Sequence, residues 1–306
     1  MSDTRYLPVP DSLVGDRADA ALSRMLGLSR TKCADLLAAG AATQDGAELG
    51  KSSRIGEGVI EITIPDERER GPEPAVPGGL EVVYEDDDLL VVNKPVGVAA
   101  HPSPGWEGPT VVGALAASGH TLADAGPPER QGIVHRLDVG TSGLMVVAKS
   151  DAAYSALKRA FKERTVDKIY HAIAQGHMDP TEGTIDAPIG RHPSSDFKFA
   201  VIEGGRPSVT HYEVMEMFPA ASLIEVHLET GRTHQIRVHM TAMRHTLVGD
   251  LQYGADPTLA KRLGLKRQWL HAKELAFEHP TRGGELRVTS EYPEDLAAAL
   301  EKLRAS

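Results

Sequence analysis

The segment Ile133-Val134-His135-Arg136-Leu137-Asp138-Val139-Gly140-Thr141-Ser142-Gly143-Leu144 concentrates residues that could do chemistry. An apolar entry leads into His-Arg-Leu-Asp, then a turn of two glycines and two hydroxyl residues, then an apolar strand. That pattern predicts Asp138 on a rigid loop between strands, where a scaffold presents its working side chains. A carboxylate beside basic residues stays ionised, because nearby positive charge favours its charged form. It can then act as a nucleophile or stabilise a developing cation at a sugar C1′. Two other readings stand beside this one. Arg136 and Asp138 could be a structural ion pair, or Asp138 could be one of two carboxylates in a glycosidase or nucleosidase. The latter needs a second acid across the cleft. The run Glu85–Asp88 is the obvious cluster, and a solvated turn is its competing interpretation.

Other side chains carry the same double reading. Tyr170 falls in an alternating strand, as core or as a ring platform. Arg237 and Arg244 share a helical stretch, as a working face or a solvated one. His135, His234 and His239 raise the question of a metal. No His-Glu-x-x-His or comparable spacing is present, so they read as structural or RNA-contacting histidines and no metal is expected. The sequence has no phosphate-cradling glycine loop and no dinucleotide fingerprint, so no cofactor is expected either. Arg17, Arg24, Arg30 and Lys32 could form a phosphate-contacting face or plain solvated charge. Residues 11–65 hold six basic and eight acidic side chains, which is poor in positive charge for an RNA binder.

A site of this kind needs a large scaffold, and 306 residues suffice for one main core plus a small accessory domain. The chain is 41% hydrophobic and 25% charged, ordinary for a globular protein. No apolar run reaches the roughly 20 residues that span a bilayer, and the polar start MSDTRYLPVP is no signal peptide. A single cysteine, Cys33, rules out an internal disulfide framework and reads as a small core residue. These features point to a cytoplasmic protein. The net charge of −10 at first opposes a nucleic-acid partner. Its distribution changes that: residues 66–130 hold 12 acidic and four basic side chains, whereas 131–306 hold 22 of each. Within the latter, 231–275 hold eight basic against three acidic residues, and a local patch rather than net charge governs binding.

Periodicity predicts the elements that position these residues. The first ten residues show none and read as a loose arm. Two short helices follow between Asp16 and Ala39: Ala21, Leu22, Met25 and Leu26 mark the first, Cys33, Leu36 and Leu37 the second. Ser29 stands as the N-cap of the second helix and Gly40 as its stop. Asp45-Gly46 is a hairpin turn signal, and Ile60, Ile62 and Ile64 alternate as a half-buried strand. Residues 66–79, rich in charge, Pro and Gly, read as a linker between a domain at 11–65 and one at 80–306. Beyond it, strands are expected at Leu89–Val92, Gly143–Ala148, Lys168–Ala174 and Ser222–Leu228. A helix is expected at Asp151–Glu163 with Tyr154, Leu157 and Phe161 on one stripe, and another from near Thr233. Without an alternating βαβ rhythm, the fold class is α+β with a mainly antiparallel mixed sheet.

The motif IVHRLDVGTSGLMVVAKS resembles the signature of the RluA family of pseudouridine synthases. NKPVGVAAHPSPG (93–105), KIYHAIAQG (168–176), TGRTHQIRVHM (230–240), GDLQYG (249–254) and LHAKELAFEHP (270–280) resemble further family motifs, in order. Residues 11–65 resemble an S4-type RNA-binding domain, as in the family's RluD-like branch. The resemblance implies that the protein isomerises uridine to pseudouridine in structured RNA, with large-subunit ribosomal RNA or an assembling ribosomal particle as partner. It implies no cofactor and no obligate protein partner. It assigns Asp138 as the catalytic carboxylate, either adding to C1′ or taking a proton to form a glycal. Tyr170 would stack on the flipped uracil and help remove the C5 proton, and Arg237 would pair with Asp138. Arg136 would enter the space the uridine leaves, with His135, Arg232, His234 and Arg244 as further RNA contacts. A non-catalytic RNA-binding or ribosome-assembly factor on the same fold is the alternative.

Overall fold

The computed structural model describes residues 3–28, 30–64, 79–103, 105–195 and 197–306. The chain divides into two compact units, Met1–Gly71 and Pro72–Ser306. The expected N-cap Ser29 and the expected linker, apart from Gly79, lie outside the described residues.

In the first unit, strand β1 (Asp3–Pro8) precedes helices α1 (Ala18–Leu26) and α2 (Arg30–Ala38), then β2 (Ala42–Gln44), β3 (Ala47–Glu48) and β4 (Val59–Ile64). The strands pair antiparallel in the order β1-β4-β2-β3. Asp45 and Gly46 take φ of 52° and 77°, as a tight hairpin turn requires. Leu22, Cys33, Leu37, Ile60 and Ile62 form the core. The loose arm is a misreading: Asp3–Pro8 pairs residue for residue with β4, from Asp3 opposite Ile64 to Pro8 opposite Val59. This edge strand leaves residues 4–6 and 8 exposed, so no burial alternation marks it. Backbone hydrogen bonds to β4 hold it instead.

The second unit opens with the hairpin β5 (Glu81–Glu85) and β6 (Leu89–Lys94), followed by α3 (Val111–Ala117), β7 (Ser142–Ala148) and α4 (Asp151–Glu163). Next come β8 (Asp167–Gln175), β9 (Glu182–Asp186), a short hairpin of β10 (Ile189–Arg191) and β11 (Phe199–Val201), and the long pair β12 (Val209–Phe218) and β13 (Ala221–Leu228). Helices α5 (Gln235–Ala242) and α6 (Pro257–Leu263), strands β14 (Leu270–Glu278) and β15 (Glu285–Thr289), and helix α7 (Glu294–Arg304) complete it. Among the described residues, nine strands form one sheet in the order β5-β6-β7-β14-β8-β13-β12-β9, with β15 on β14. Its ladders are antiparallel except the short β7–β14 contact. The fold is α+β with a mainly antiparallel sheet, as the patterning predicts.

Helices cover both faces of the sheet centre, which explains the continuous apolar runs of β6 and β7. Leu90 and Val92 pack on one face with α3 and α5, through Leu115, Ile236 and Met240. Leu89 and Val91 pack on the other with α4, through Leu157. Helix α4 starts where Ser150 Oγ accepts the Ala153 N–H, with Asp151 favourably placed in the first turn. The loop that carries Asp138 is set by the β7–β14 contact. Gly143 has φ of 115°, and a Cβ there would stand 2.3 Å from Ala272 O. Only glycine lets the strand dock so closely and carry Asp138 to its place. No helix among the described residues is long and apolar enough to cross a membrane.

Candidate active site

Asp138 lies on the loop entering β7, where the Thr141 N–H donates to its backbone carbonyl at 3.0 Å and the Gly97 N–H to that of Val139 at 2.9 Å. Its carboxylate lies in a pocket lined among others by Arg136, Tyr170, Arg232, His234 and Arg237. Arg237 Nη1 is 3.4 Å and His234 Nε2 3.8 Å from Asp138 Oδ2. Arg237 gives its fork elsewhere: Nε donates to Asp250 Oδ2 at 2.6 Å and Nη2 to Asp250 Oδ1 at 2.9 Å. Nη2 also donates to Gln252 Oε1 at 2.6 Å, and the guanidinium lies 4.8 Å from the Tyr253 ring centre. The expected pairing of Arg237 with Asp138 is present, through Nη1 alone. The arginine is locked by Asp250 and offers Asp138 its remaining nitrogen, because one planar fork can meet only one carboxylate in bidentate fashion.

The elements behind these residues explain the geometry. Buried Gln235 opens α5 and pins the preceding turn to β12. Its Oε1 accepts from the Thr230 hydroxyl at 2.7 Å and the Arg232 N–H at 3.0 Å, while its Nε2 donates to Val209 O at 2.9 Å. His239 is spent in the same joint, against Thr210 Oγ1 and Ala187 O. Gly249 places Asp250: at φ of 85°, its Cβ would fall 2.1 Å from Arg267 O. Tyr170 stands on β8 opposite Val226 of β13 and Ala272 of β14, almost wholly buried. Burial, helped by the Asp138 charge, pushes its phenol well above the ordinary range, so the hydroxyl stays protonated.

Lys94 went unassigned in the sequence, which reads the strand as ending at Val92. It ends β6 with no exposed surface, and Nζ donates to Pro95 O and Val98 O, each at 2.9 Å. Burial pulls its pKa down to about 7 against the opposing pull of the Asp138 charge. Leu90, Val92 and Lys94 share one side of the strand, so a lysine continuing an apolar alternation was the available signal. Asp250, Gln252 and Tyr253 were equally legible as residues of GDLQYG, but nothing local names their partner.

Several expected RNA contacts fall elsewhere. His135 accepts the Val146 N–H on Nε2 at 3.0 Å and stacks on Phe161 with ring centres 4.5 Å apart. Burial lowers its pKa to about 3, so it is a neutral framework residue outside the pocket lining, contrary to the expectation of an RNA contact. Arg244 is exposed just beyond the C-terminal end of α5 and does not line the pocket. The basic segment 231–275 presents less charge than its sequence suggests. Arg267 is buried and meets Asp295 in a bidentate pair at 2.7 and 2.9 Å, as Arg237 meets Asp250. In the first unit Arg17 and Arg30 both bind Asp19, and Arg24 binds Asp16. The side chain of Lys32 lies outside the described residues. Glu85–Asp88 is absent from the pocket lining. It forms the β5–β6 turn, with Glu85 and Asp87 exposed as its charge implies, and only the Asp86 side chain is buried, held by His279 at 2.7 Å.

A family model described as RNA pseudouridylate synthase matches residues 88–242. A Mycobacterium tuberculosis protein described as an uncharacterized RNA pseudouridine synthase is 57% identical over 98% of both chains. Ribosomal large subunit pseudouridine synthase D of Vibrio parahaemolyticus is 41% identical over 97% of this chain and 93% of its own. Among solved structures, human RNA pseudouridylate synthase domain containing 1 aligns with a TM-score of 0.59 and 30% identity, over 76% of this chain and 98% of its own.

Proposed function

The chain belongs to the RNA pseudouridylate synthase family, and on that premise we propose that it isomerises uridine in large-subunit ribosomal RNA with Asp138 as its catalytic carboxylate. The observation that carries the residue assignment is the convergence of Asp138, Tyr170, His234 and Arg237 on one pocket. A uridine stacked in a helix is out of reach, so the nucleotide turns out into the pocket at a cost of a few kcal/mol. Tyr170 offers the base an aromatic neighbour, and such stacking contributes about 1–3 kcal/mol. Arg136, exposed at the rim, has the planar guanidinium suited to fill the vacated stack and bond phosphate. Asp138 assists as the N1–C1′ bond breaks, either by adding to C1′ and being displaced again when C5 attacks, or by taking a proton from the sugar and returning it as C5 adds. The base turns, the C5–C1′ bond forms, C5 loses its proton and N1 gains one. Atoms and electrons balance without any redox partner.

The non-catalytic reading is disfavoured, because a binding factor has no use for a carboxylate aimed into a pocket beside a locked arginine. The glycosidase reading loses its second acid, since Asp86 is held by His279. We read the first unit as an S4-like accessory RNA-binding domain. Its share of the electrostatic affinity is small, because Arg17, Arg24 and Arg30 already pair with acids. The test is carbodiimide labelling and primer extension across ribosomal RNA, with wild type and Asp138→Ala. Stops present with wild type and absent with the variant are expected. Tight binding by wild type without any stops, on naked RNA or ribosomal particles, would move the reading to a binding factor.

A further inference from the structure

The β10–β11 hairpin presents Phe197 in its connecting loop with 82% of its surface exposed. Two chains of side-chain contacts run from this hairpin toward the catalytic carboxylate. In the first, Gln252 Nε2 donates to Phe197 O at 2.9 Å, while Gln252 Oε1 accepts from Arg237 Nη2, whose Nη1 lies 3.4 Å from Asp138. In the second, the Phe199 N–H donates to Tyr253 Oη at 3.0 Å. That oxygen shares a 2.8 Å hydrogen bond with His234 Nδ1, and His234 Nε2 lies 3.8 Å from Asp138. The Phe199 ring also meets His234 edge-on at 5.7 Å. Gln252 and Tyr253 are neighbours on one 3₁₀ turn, Leu251–Tyr253, directly after the Asp250 that locks Arg237.

We propose that Gln252 and Tyr253 are positioning residues that tie the β10–β11 hairpin to Asp138, so that RNA seated on Phe197 sets the carboxylate for reaction at C1′. The inference rests on the functional reading above. Gln252 is exposed, yet both ends of its amide are engaged, one by the hairpin backbone and one by the guanidinium. An exposed side chain adds little to the core, so its loss spares the fold and alters only the link. An exposed aromatic ring beside a base-flipping pocket has stacking on a neighbouring base as its natural use. Pressing that base on the loop loads the same backbone that holds Gln252 and Tyr253. The two routes end on Arg237 and His234, which lie 3.4 and 3.8 Å from Asp138 Oδ2.

The test is a double-mutant cycle on the single-turnover rate at saturating enzyme, using a ribosomal RNA fragment that wild type modifies. Filter-binding affinity and thermal unfolding are measured in parallel. Gln252→Met is expected to slow the saturated rate about tenfold, the scale on which small misplacements act, with affinity and thermal midpoint near wild type. Phe197→Ala is expected to weaken affinity and also slow the saturated rate. Combined with Gln252→Met it should slow the reaction by less than the product of the two single effects, because one of the two routes is already cut. Tyr253→Phe keeps the ring under Arg237, loses the second route, and should slow the reaction at unchanged affinity. A Gln252→Met rate equal to wild type, or a double variant slowed by the product of the two single effects, would overturn the proposal. Wild type that modifies no ribosomal RNA would instead overturn the functional reading beneath it.

Discussion

Replacing Asp250 with alanine strips the buried Arg237 guanidinium of its bidentate partner. Both side chains are nearly inaccessible, at 5% and 2% exposure. Truncating one member of such a pair typically costs about 3–5 kcal/mol, because an uncompensated charge remains in a poorly hydrated site. For a unit of this size, each kcal/mol shifts the midpoint by about 2–4 °C, so a fall of about 6–20 °C is expected. Fluorescence can follow it specifically, since both tryptophans, Trp106 and Trp269, lie in the second unit. Asp250→Asn keeps one neutral acceptor and should cost about 1–3 kcal/mol, leaving enough folded protein for kinetics. Its single-turnover rate should fall by about 100-fold, because Arg237 is free to swing onto Asp138 and pull it from its reacting position. Removing the pair altogether, with Arg237→Met and Asp250→Leu, should recover much of the stability while abolishing turnover. An Asp250→Ala midpoint within about 2 °C of wild type would refute the claim that this pair locks the arginine.

Three further outcomes are expected. His271 has no exposed surface, sits between Ser142 Oγ and Ser290 Oγ, and is held by burial at a pKa of about 3. The unfolded imidazole binds a proton below about 6.5, so the stability is intact above that pH and is lost progressively toward pH 3. His271→Gln should flatten this slope by up to about 1.4 kcal/mol per pH unit in denaturant titrations at pH 7, 6 and 5; an unchanged slope would count against the assignment. Charge removal at pocket-lining Arg136 or Arg232 should weaken RNA binding and reduce its salt slope by about one each. Arg244→Gln, off the pocket, should change that slope less, and equal effects in filter binding would contradict this. Residues 72–306 alone should unfold cooperatively, because their core clusters draw on no residue of the first unit; a broad, non-cooperative melt would sink the idea.

What the sequence by itself determined is local. The loop that carries Asp138 was legible because an acid between an apolar entry and a glycine turn is written in consecutive residues. Helix α4 was legible, since its stripe of Tyr154, Leu157 and Phe161 follows one period. Tertiary structure decided how charges are shared. Arg237 stands among several acids in the chain, and that it gives its fork to Asp250 and only one nitrogen to Asp138 depends on where Gly249 and the turn after it come to rest. Likewise, only packing shows that Lys94 is buried near Asp138 and that His135 turns onto Phe161. Strand β1 was invisible for the same reason, because its partner β4 lies some fifty residues on and residues 4–6 and 8 are exposed. Periodicity records which residues are buried. It does not record which buried or charged group each will meet, because that is fixed by contacts between segments far apart in the chain.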